Sequence, residues 1–128
     1  MRLMATGAGG MLGTAIREVY DECPDVLWTD LVASGKIEAL DARDWDAVSR
    51  RVRDFAPDVV LHLAAETDVD LCESNPDHAF ESNAFATENV AHACKAADCT
   101  HCSTSCQLDT APSGSVSPSP CTSYTSGT

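Results

Sequence analysis

Hydrophobic and polar positions switch between two spacings along the chain, and the switches outline its elements. Residues 2–6 form a short apolar run that predicts a first strand. Ala15, Ile16, Val19 and Tyr20 fall at helical spacing, predicting a helix over 11–22 that Cys23-Pro24-Asp25 breaks. Residues 26–29 read as a second strand with Asp30 at its end, and residues 37–40 as a weaker third. Asp44 is placed to cap a helix running to Phe55, with Trp45, Val48, Val52 and Phe55 facing inward. The run VVLHLA at 59–64 is apolar almost throughout, as a parallel strand buried on both faces should be. Residues 66–76 read as a loop, and 77–97 as a long helix with Phe80, Ala84, Val90 and Ala93 turned to the core. Residues 100–104 read as a fifth strand. The alternation predicts an α/β fold, an open parallel sheet with helices on both faces and strand order 3-2-1-4, the fifth strand unplaced.

Composition divides the chain. All 8 basic residues and 19 of the 20 acidic ones lie at or before Asp98, and only Asp109 follows. From Ser103 to Thr128, 13 residues are Ser or Thr and 3 are Pro. Such a segment buries too little apolar surface to offset its ordering entropy, so 110–128 is expected to be a disordered tail and 1–109 the folded part. The formal charge of −12 argues against nucleic acid or an anionic membrane as partner, since both demand basic patches. With no secretion signal or spanning segment read at the N-terminus, the expectation is a cytoplasmic protein whose seven cysteines are thiols.

The segment TGAGGMLG adds candidate chemistry. Gly7, Gly10 and Gly13 stand three apart between a strand and a helix. The first permits a sharp turn, the second leaves room for a pyrophosphate against the backbone, and the third lets the helix pack close. A helix N-terminus then offers N–H groups and partial positive charge to an anion. Asp30, 17 residues past Gly13, is positioned to accept from a ribose 2′-hydroxyl and would repel a 2′-phosphate. Asp41, after the third strand, is a weaker candidate for the adenine side. The pattern predicts a Rossmann-like, doubly wound sheet that binds a dinucleotide, with Asp30 leaning towards NAD over NADP.

Together TGAGGMLG, PDVVLHLAAETDVDLCESNP and ESNAFATENVAHACKAA, in this order, resemble the extended short-chain dehydrogenases, and among them the dTDP-4-dehydrorhamnose reductases. The likeness covers residues 1–97 well and 98–109 poorly. It implies that Gly10, Met11 and Leu12 contact the pyrophosphate, and that Asp30 holds the adenosine ribose. It further implies that Asp41 and Ala42 lie near adenine and that Leu63, Ala64 and Ala65 pass under the cofactor ribose. Asn83 matches an asparagine that supports the active-site helix. The implied substrate is a small-molecule sugar nucleotide, reduced at a C4 ketone by hydride from NADH or NADPH, between which the resemblance leaves the choice open.

In that family a Ser or Thr orients the carbonyl and a Tyr-x-x-x-Lys pair supplies the proton. Thr104 matches the catalytic threonine, and Asp109 matches an acid. Ser105, Cys106, Gln107, Leu108 and Thr110 depart from the family pattern. Tyr124 is followed four positions later by Thr128, and no lysine occurs after Lys95. The expectation is therefore a truncated or frameshifted reductase whose active site is not completed. A non-catalytic cofactor-binding module, a regulatory subunit of the same fold and a sugar-nucleotide epimerase or dehydratase fragment remain as alternatives. Cys99-x2-Cys102-x3-Cys106, with His92 and His101, has zinc-like spacing. It lacks a second close pair and overlaps the fifth strand, so no metal site is expected. His62 reads as a hydrogen-bonded core histidine, His78 as a solvated one, and Glu66 and Asp68 as exposed loop acids.

Overall fold

The structure, a computed structural model, describes residues 1–65 and 69–103. Five strands, β1 (Leu3–Thr6), β2 (Val26–Asp30), β3 (Ile37–Ala39), β4 (Val59–His62) and β5 (Thr100–Ser103), form one sheet in the order β3-β2-β1-β4-β5. Every pair is parallel, with Ala5 opposite both Trp28 of β2 and Leu61 of β4. Among the described residues the fifth strand thus takes the outer place beside β4. The chain winds outward from β1 through β2 to β3, then returns to the other side of β1 for β4. The strand order reverses between β1 and β4, the crevice where ligands bind in sheets of this kind.

Residues adjacent along a strand face opposite sides, and this assigns the helices. Met4, Leu27 and Val60 point to one side, where they pack with Val48 and Val52 of α2 (Trp45–Phe55) and with Val90, Ala93 and Cys94 of α5 (Ala86–Ala96). Ala5 and Trp28 point to the other side, against Ile16 and Tyr20 around the end of α1 (Met11–Val19). Asp44 caps α2 as expected, its carboxylate accepting from the N–H of Ala47 at 3.2 Å. Ala56, at φ 49, ends that helix.

Several expectations are corrected. α1 stops at Val19, and its buried stripe is narrower than predicted: Ala15 is exposed and Val19 is 78% exposed. Within the expected loop 66–76, residues Val69–Ser74 form a short helix, α3. Pro76, expected as the last residue of that loop, instead opens a helix. It is the first residue of α4 (Pro76–Phe80), where its missing N–H costs nothing, and Asn75 accepts from the N–H of His78 at 3.2 Å. Between α4 and α5 lies a π-helical segment, Glu81–Phe85. The wider turn shifts the phase of everything before it relative to Val90 and Ala93. Phe80 is consequently 58% exposed, packed edge-on against Phe85 with ring centroids 5.0 Å apart. Trp45 is also largely exposed and meets His92 edge-on rather than entering the core. The expected tail 110–128, Thr104, Glu66 and Asp68 lie outside the described residues.

Candidate functional site

The site is built where β1 hands the chain to α1. Gly7 has φ +69, a left-handed conformation, and a Cβ there would come within 2.5 Å of the backbone nitrogen of Ala64. Only glycine lets this loop cross the chain leaving β4. A Cβ at Gly13 would meet the carbonyl oxygen of Gly7 at 2.5 Å, so the third glycine sets how closely α1 packs on the loop. Gly10 differs from both. It is the N-cap of α1, with φ −73 and ψ 179, and offers no side-chain acceptor to the first-turn N–H groups. A Cβ there would only touch the Gly7 oxygen at 3.4 Å and would otherwise project into open space.

Asp30 ties this loop to the end of β2. One carboxylate oxygen accepts from the N–H of Gly9 at 2.8 Å, and the other from the N–H of Leu31 at 2.7 Å. Gly9 was not singled out in the sequence, yet a Cβ on it would lie 2.9 Å from the Asp30 oxygen. The signal was the fourth glycine of the run, whose partner only the fold supplies. Thr6 performs the same joining on the β4 side. Its hydroxyl lies 2.7 Å from Nδ1 of the fully buried His62 and accepts from the N–H of Ala64 at 3.4 Å, and its carbonyl accepts from the N–H of Leu63 at 3.1 Å. His62 is thus a core histidine, as expected, with a hydroxyl for company.

Around these groups lies a cavity of about 230 Å³. Gly7, Gly10, Asp30, Asp41, Ala42, Leu63, Ala64 and Ala65 all line it. Met11, Leu12 and Gly13 sit beside it in the first turn of α1, and Asn83 sits on the π segment, where its carbonyl accepts from the Thr87 hydroxyl at 2.6 Å. The opposite wall comes from His78, Ser82 and Ala86, which the sequence reading did not assign to the site. Their spacing of four residues was the available signal. His78 is accordingly half-buried against the cavity rather than solvated.

Arg43 is a further lining residue that the sequence reading missed. Its guanidinium grips Asp41 with two parallel bonds, Nε to Oδ1 at 3.0 Å and a terminal nitrogen to Oδ2 at 2.8 Å. That hydrogen bonding holds the Asp41 carboxyl below the ordinary carboxylate range, against the opposing effect of partial burial. Asn89 of α5 donates to the carbonyls of Ala42 (3.1 Å) and Arg43 (3.0 Å), pinning this turn to the helix. Asp41 and Arg43 also border a second, more open depression of about 550 Å³, floored by Trp45, Phe85 and Asn89.

The donor set suits a nucleotide. An uncapped helix start over bare glycine backbone accommodates a pyrophosphate, and a fixed carboxylate at the next strand end accommodates a ribose diol. The tight glycine turn, in which a Cβ at Gly7 or Gly13 would meet the protein's own backbone, leaves the bare backbone of Gly10 beside the cavity, and that is the feature that fits a dinucleotide here.

Comparison with known proteins agrees with this geometry. Residues 1–118 match the family described as RmlD substrate binding domain. Over 97 residues the chain is 39% identical to a dTDP-4-dehydrorhamnose reductase of Mycolicibacterium smegmatis, covering 76% of this chain and 28% of that protein. Over 95 residues it is 39% identical to methionine adenosyltransferase 2 subunit beta of Xenopus laevis, covering 70% of this chain and 28% of that protein. Among solved structures, a dTDP-4-dehydrorhamnose reductase of Bacillus anthracis in complex with NADP superposes with a TM-score of 0.66 at 29% identity, over 78% of this chain and 34% of that one. The UDP-glucose 4-epimerase of Thermus thermophilus in complex with NAD gives 0.69 at 30% identity, over 77% and 35%. The chain therefore spans little more than a quarter of the length of the curated relatives it matches.

Proposed function

The chain belongs to the RmlD substrate binding domain family, and on that footing we propose that residues 1–109 form the dinucleotide-binding part of a sugar-nucleotide oxidoreductase of the dTDP-4-dehydrorhamnose reductase type. The observation that carries this reading is the glycine cradle joined to Asp30. Gly10 at the start of α1 would hold the pyrophosphate, with Met11 and Leu12 offering first-turn N–H groups. Asp30 would accept from the adenosine ribose while Gly9 and Leu31 keep its carboxylate in place. Asp41 and Ala42, whose turn Asn89 holds, would border the adenine. Leu63, Ala64 and Ala65, at a distance from Gly7 that only glycine allows, would support the other ribose.

A bound NADH or NADPH would supply the hydride for a keto sugar attached to a nucleotide. This chain's own part is to orient the dinucleotide across the β1–β4 crevice and to present one face of it. Thr104 is the proposed carbonyl-orienting hydroxyl, since it follows directly on β5, a strand parallel to β4. The sequence contains no Tyr-x-x-x-Lys, so for these residues we propose binding without turnover. A second reading, a subunit that holds dinucleotide without reducing anything, is favoured by the 39% identity to a protein named as a subunit.

The test is a titration of the 128-residue chain with NADH, followed by nicotinamide fluorescence, and then addition of dTDP-4-keto-6-deoxyglucose. Saturable binding that ADP-ribose competes away, with no sustained loss of reduced-nicotinamide absorbance, is the expected result. Failure to bind would overturn the cofactor assignment. Sustained oxidation of NADH would overturn the reading of a non-turning-over chain.

A further inference from the structure

The turn joining α5 to β5 brings two cysteines together for a reason that lies in the backbone. Asp98, at φ +56, reverses the chain after the helix. Its N–H donates to the carbonyl of Lys95 at 3.3 Å, and the N–H of Cys99 donates to the carbonyl of Cys94 at 2.9 Å. This pair of bonds is the Schellman arrangement, which lays the residue after the left-handed one back over the third residue from the helix end. The side chains at those two positions usually touch, and here they are Cys99 and Cys94. Cys94 is buried in the core under α5, and the half-buried Cys99 packs against that same cluster. Both are free thiols.

Their chemistry is unequal. Hydrogen bonding to the neighbouring Cys99 sulfur, together with burial, pushes the Cys94 thiol far above the ordinary range. The same pairing pulls Cys99 below it, against the opposing effect of burial. Cys99 is also the more open of the two to solvent. One sulfur is thus an accessible nucleophile and the other a sheltered partner in contact with it.

We propose that Cys94 and Cys99 form a reversible oxidation site, in which a disulfide staples the C-terminal end of α5 to the start of β5. The oxidant is a low-molecular-weight disulfide such as oxidised glutathione. The Cys99 thiolate attacks one of its sulfurs, forming a mixed disulfide and releasing one glutathione thiolate, which takes up the proton Cys99 gave to water. The Cys94 thiol then attacks the Cys99 sulfur, breaks the mixed disulfide and passes its proton to the second departing glutathione. The protein loses two hydrogens and two electrons, and one glutathione disulfide becomes two thiols. The staple fixes the junction from which Thr100 donates to the Asp58 carbonyl at 3.0 Å, the first link of β5 to β4.

The test treats the folded chain with oxidised glutathione, blocks the remaining thiols and digests with a protease that cleaves before aspartate. Cleavage before Asp98 separates the two cysteines, so their link joins peptide 77–97 to the peptide beginning at 98. Fragmentation then locates the bond. The expected result is the loss of two of the seven thiols, a Cys94–Cys99 link, the same link in a Cys102→Ser variant and its reversal by dithiothreitol. A bond from Cys99 to Cys102, from Cys94 to Cys72, or a glutathione adduct that stays on Cys99 would overturn the proposal. So would retention of all seven thiols by the folded chain. Because the wild-type chain carries the decisive readout, a variant that fails to fold does not blur the answer.

Discussion

Replacing Gly10 by alanine should separate binding from folding, whereas replacing Gly7 should impair both. At Gly10 the backbone is extended, with φ −73 and ψ 179, so alanine fits without strain. Its methyl would touch only the Gly7 carbonyl, at 3.4 Å, an ordinary contact. The folding cost is that of alanine in place of glycine at an N-cap, about 1 kcal/mol, or a fall of roughly 4–8 °C in Tm for a domain of this size. Gly10 also lines the cavity, so an added methyl there would crowd the path by which a pyrophosphate approaches the α1 N–H groups. A hydrogen bond to a charged group contributes about 1.5–3 kcal/mol, so losing one weakens NADH binding roughly ten- to hundredfold. At Gly7 the left-handed φ of +69 costs a non-glycine residue about 1–2 kcal/mol. The Cβ at 2.5 Å from the Ala64 nitrogen adds displacement of the backbone, roughly another 1–3 kcal/mol. Against a total stability of about 5–15 kcal/mol, that loss lowers the melting temperature well beyond the Gly10 effect and displaces the backbone that lines the crevice. Far-UV circular dichroism melts and NADH fluorescence titrations on both variants read the two quantities separately. The reasoning fails if folded Gly10→Ala binds NADH like the wild type, or if Gly7→Ala melts at the wild-type temperature.

Thr6→Val removes the hydroxyl 2.7 Å from buried His62 Nδ1. An orphaned buried polar atom costs about 1–3 kcal/mol, so the thermal midpoint should fall by several degrees, and an unchanged midpoint would contradict the role given to Thr6. Asp30→Ala removes the acceptor for Gly9, Leu31 and the proposed ribose. NADH affinity measured by fluorescence should drop roughly tenfold or more, and NADPH affinity should drop less, because a charge repelling the 2′-phosphate goes as well. Equal losses for the two cofactors would count against that placement. The pair Asp41–Arg43 sets a pH dependence of known sign. The folded carboxyl is depressed below its ordinary 3.8, so its stabilisation is complete above that pH and is lost as pH falls through the lower folded value. With side chains 35% and 39% exposed, the contribution is about 0–1 kcal/mol. A carboxyl-carbon NMR titration should show the Asp41 pKa rising in Arg43→Gln, and an unmoved titration would sink the assignment of its cause.

The sheet and the cradle were legible because both rest on local rules. Alternating elements and the near-continuous VVLH run imply a buried parallel sheet, and three glycines between strand and helix imply a sharp turn with a closely packed helix, though not that the turn crosses the chain leaving β4. Asp30 was legible for the same reason, as the acid at the next strand end. What escaped the sequence depends on phase and on contacts across the fold. The π segment leaves no mark in a hydrophobic pattern read at a single helical period, and it turned Phe80 outward. Pro76 could be read as a stop or a start, and only the Asn75 cap decides between them. Gly9 looked like filler until the Asp30 carboxylate was seen against it. His78 and Ser82 look like surface residues in the sequence, and they reach the cavity because α4 and the π segment lie across the strand ends.

The claim that this crevice holds a nicotinamide dinucleotide is tested most directly by titrating NADH into the ¹⁵N-labelled chain and mapping amide shifts. The account predicts saturable shifts concentrated at Gly7 to Gly13, at Asp30 and Leu31, at Asp41 and Ala42, and at Leu63 to Ala65, with ADP-ribose reproducing those of the adenosine side. Shifts confined to other surfaces, or no shifts from a folded chain at millimolar NADH, would contradict it.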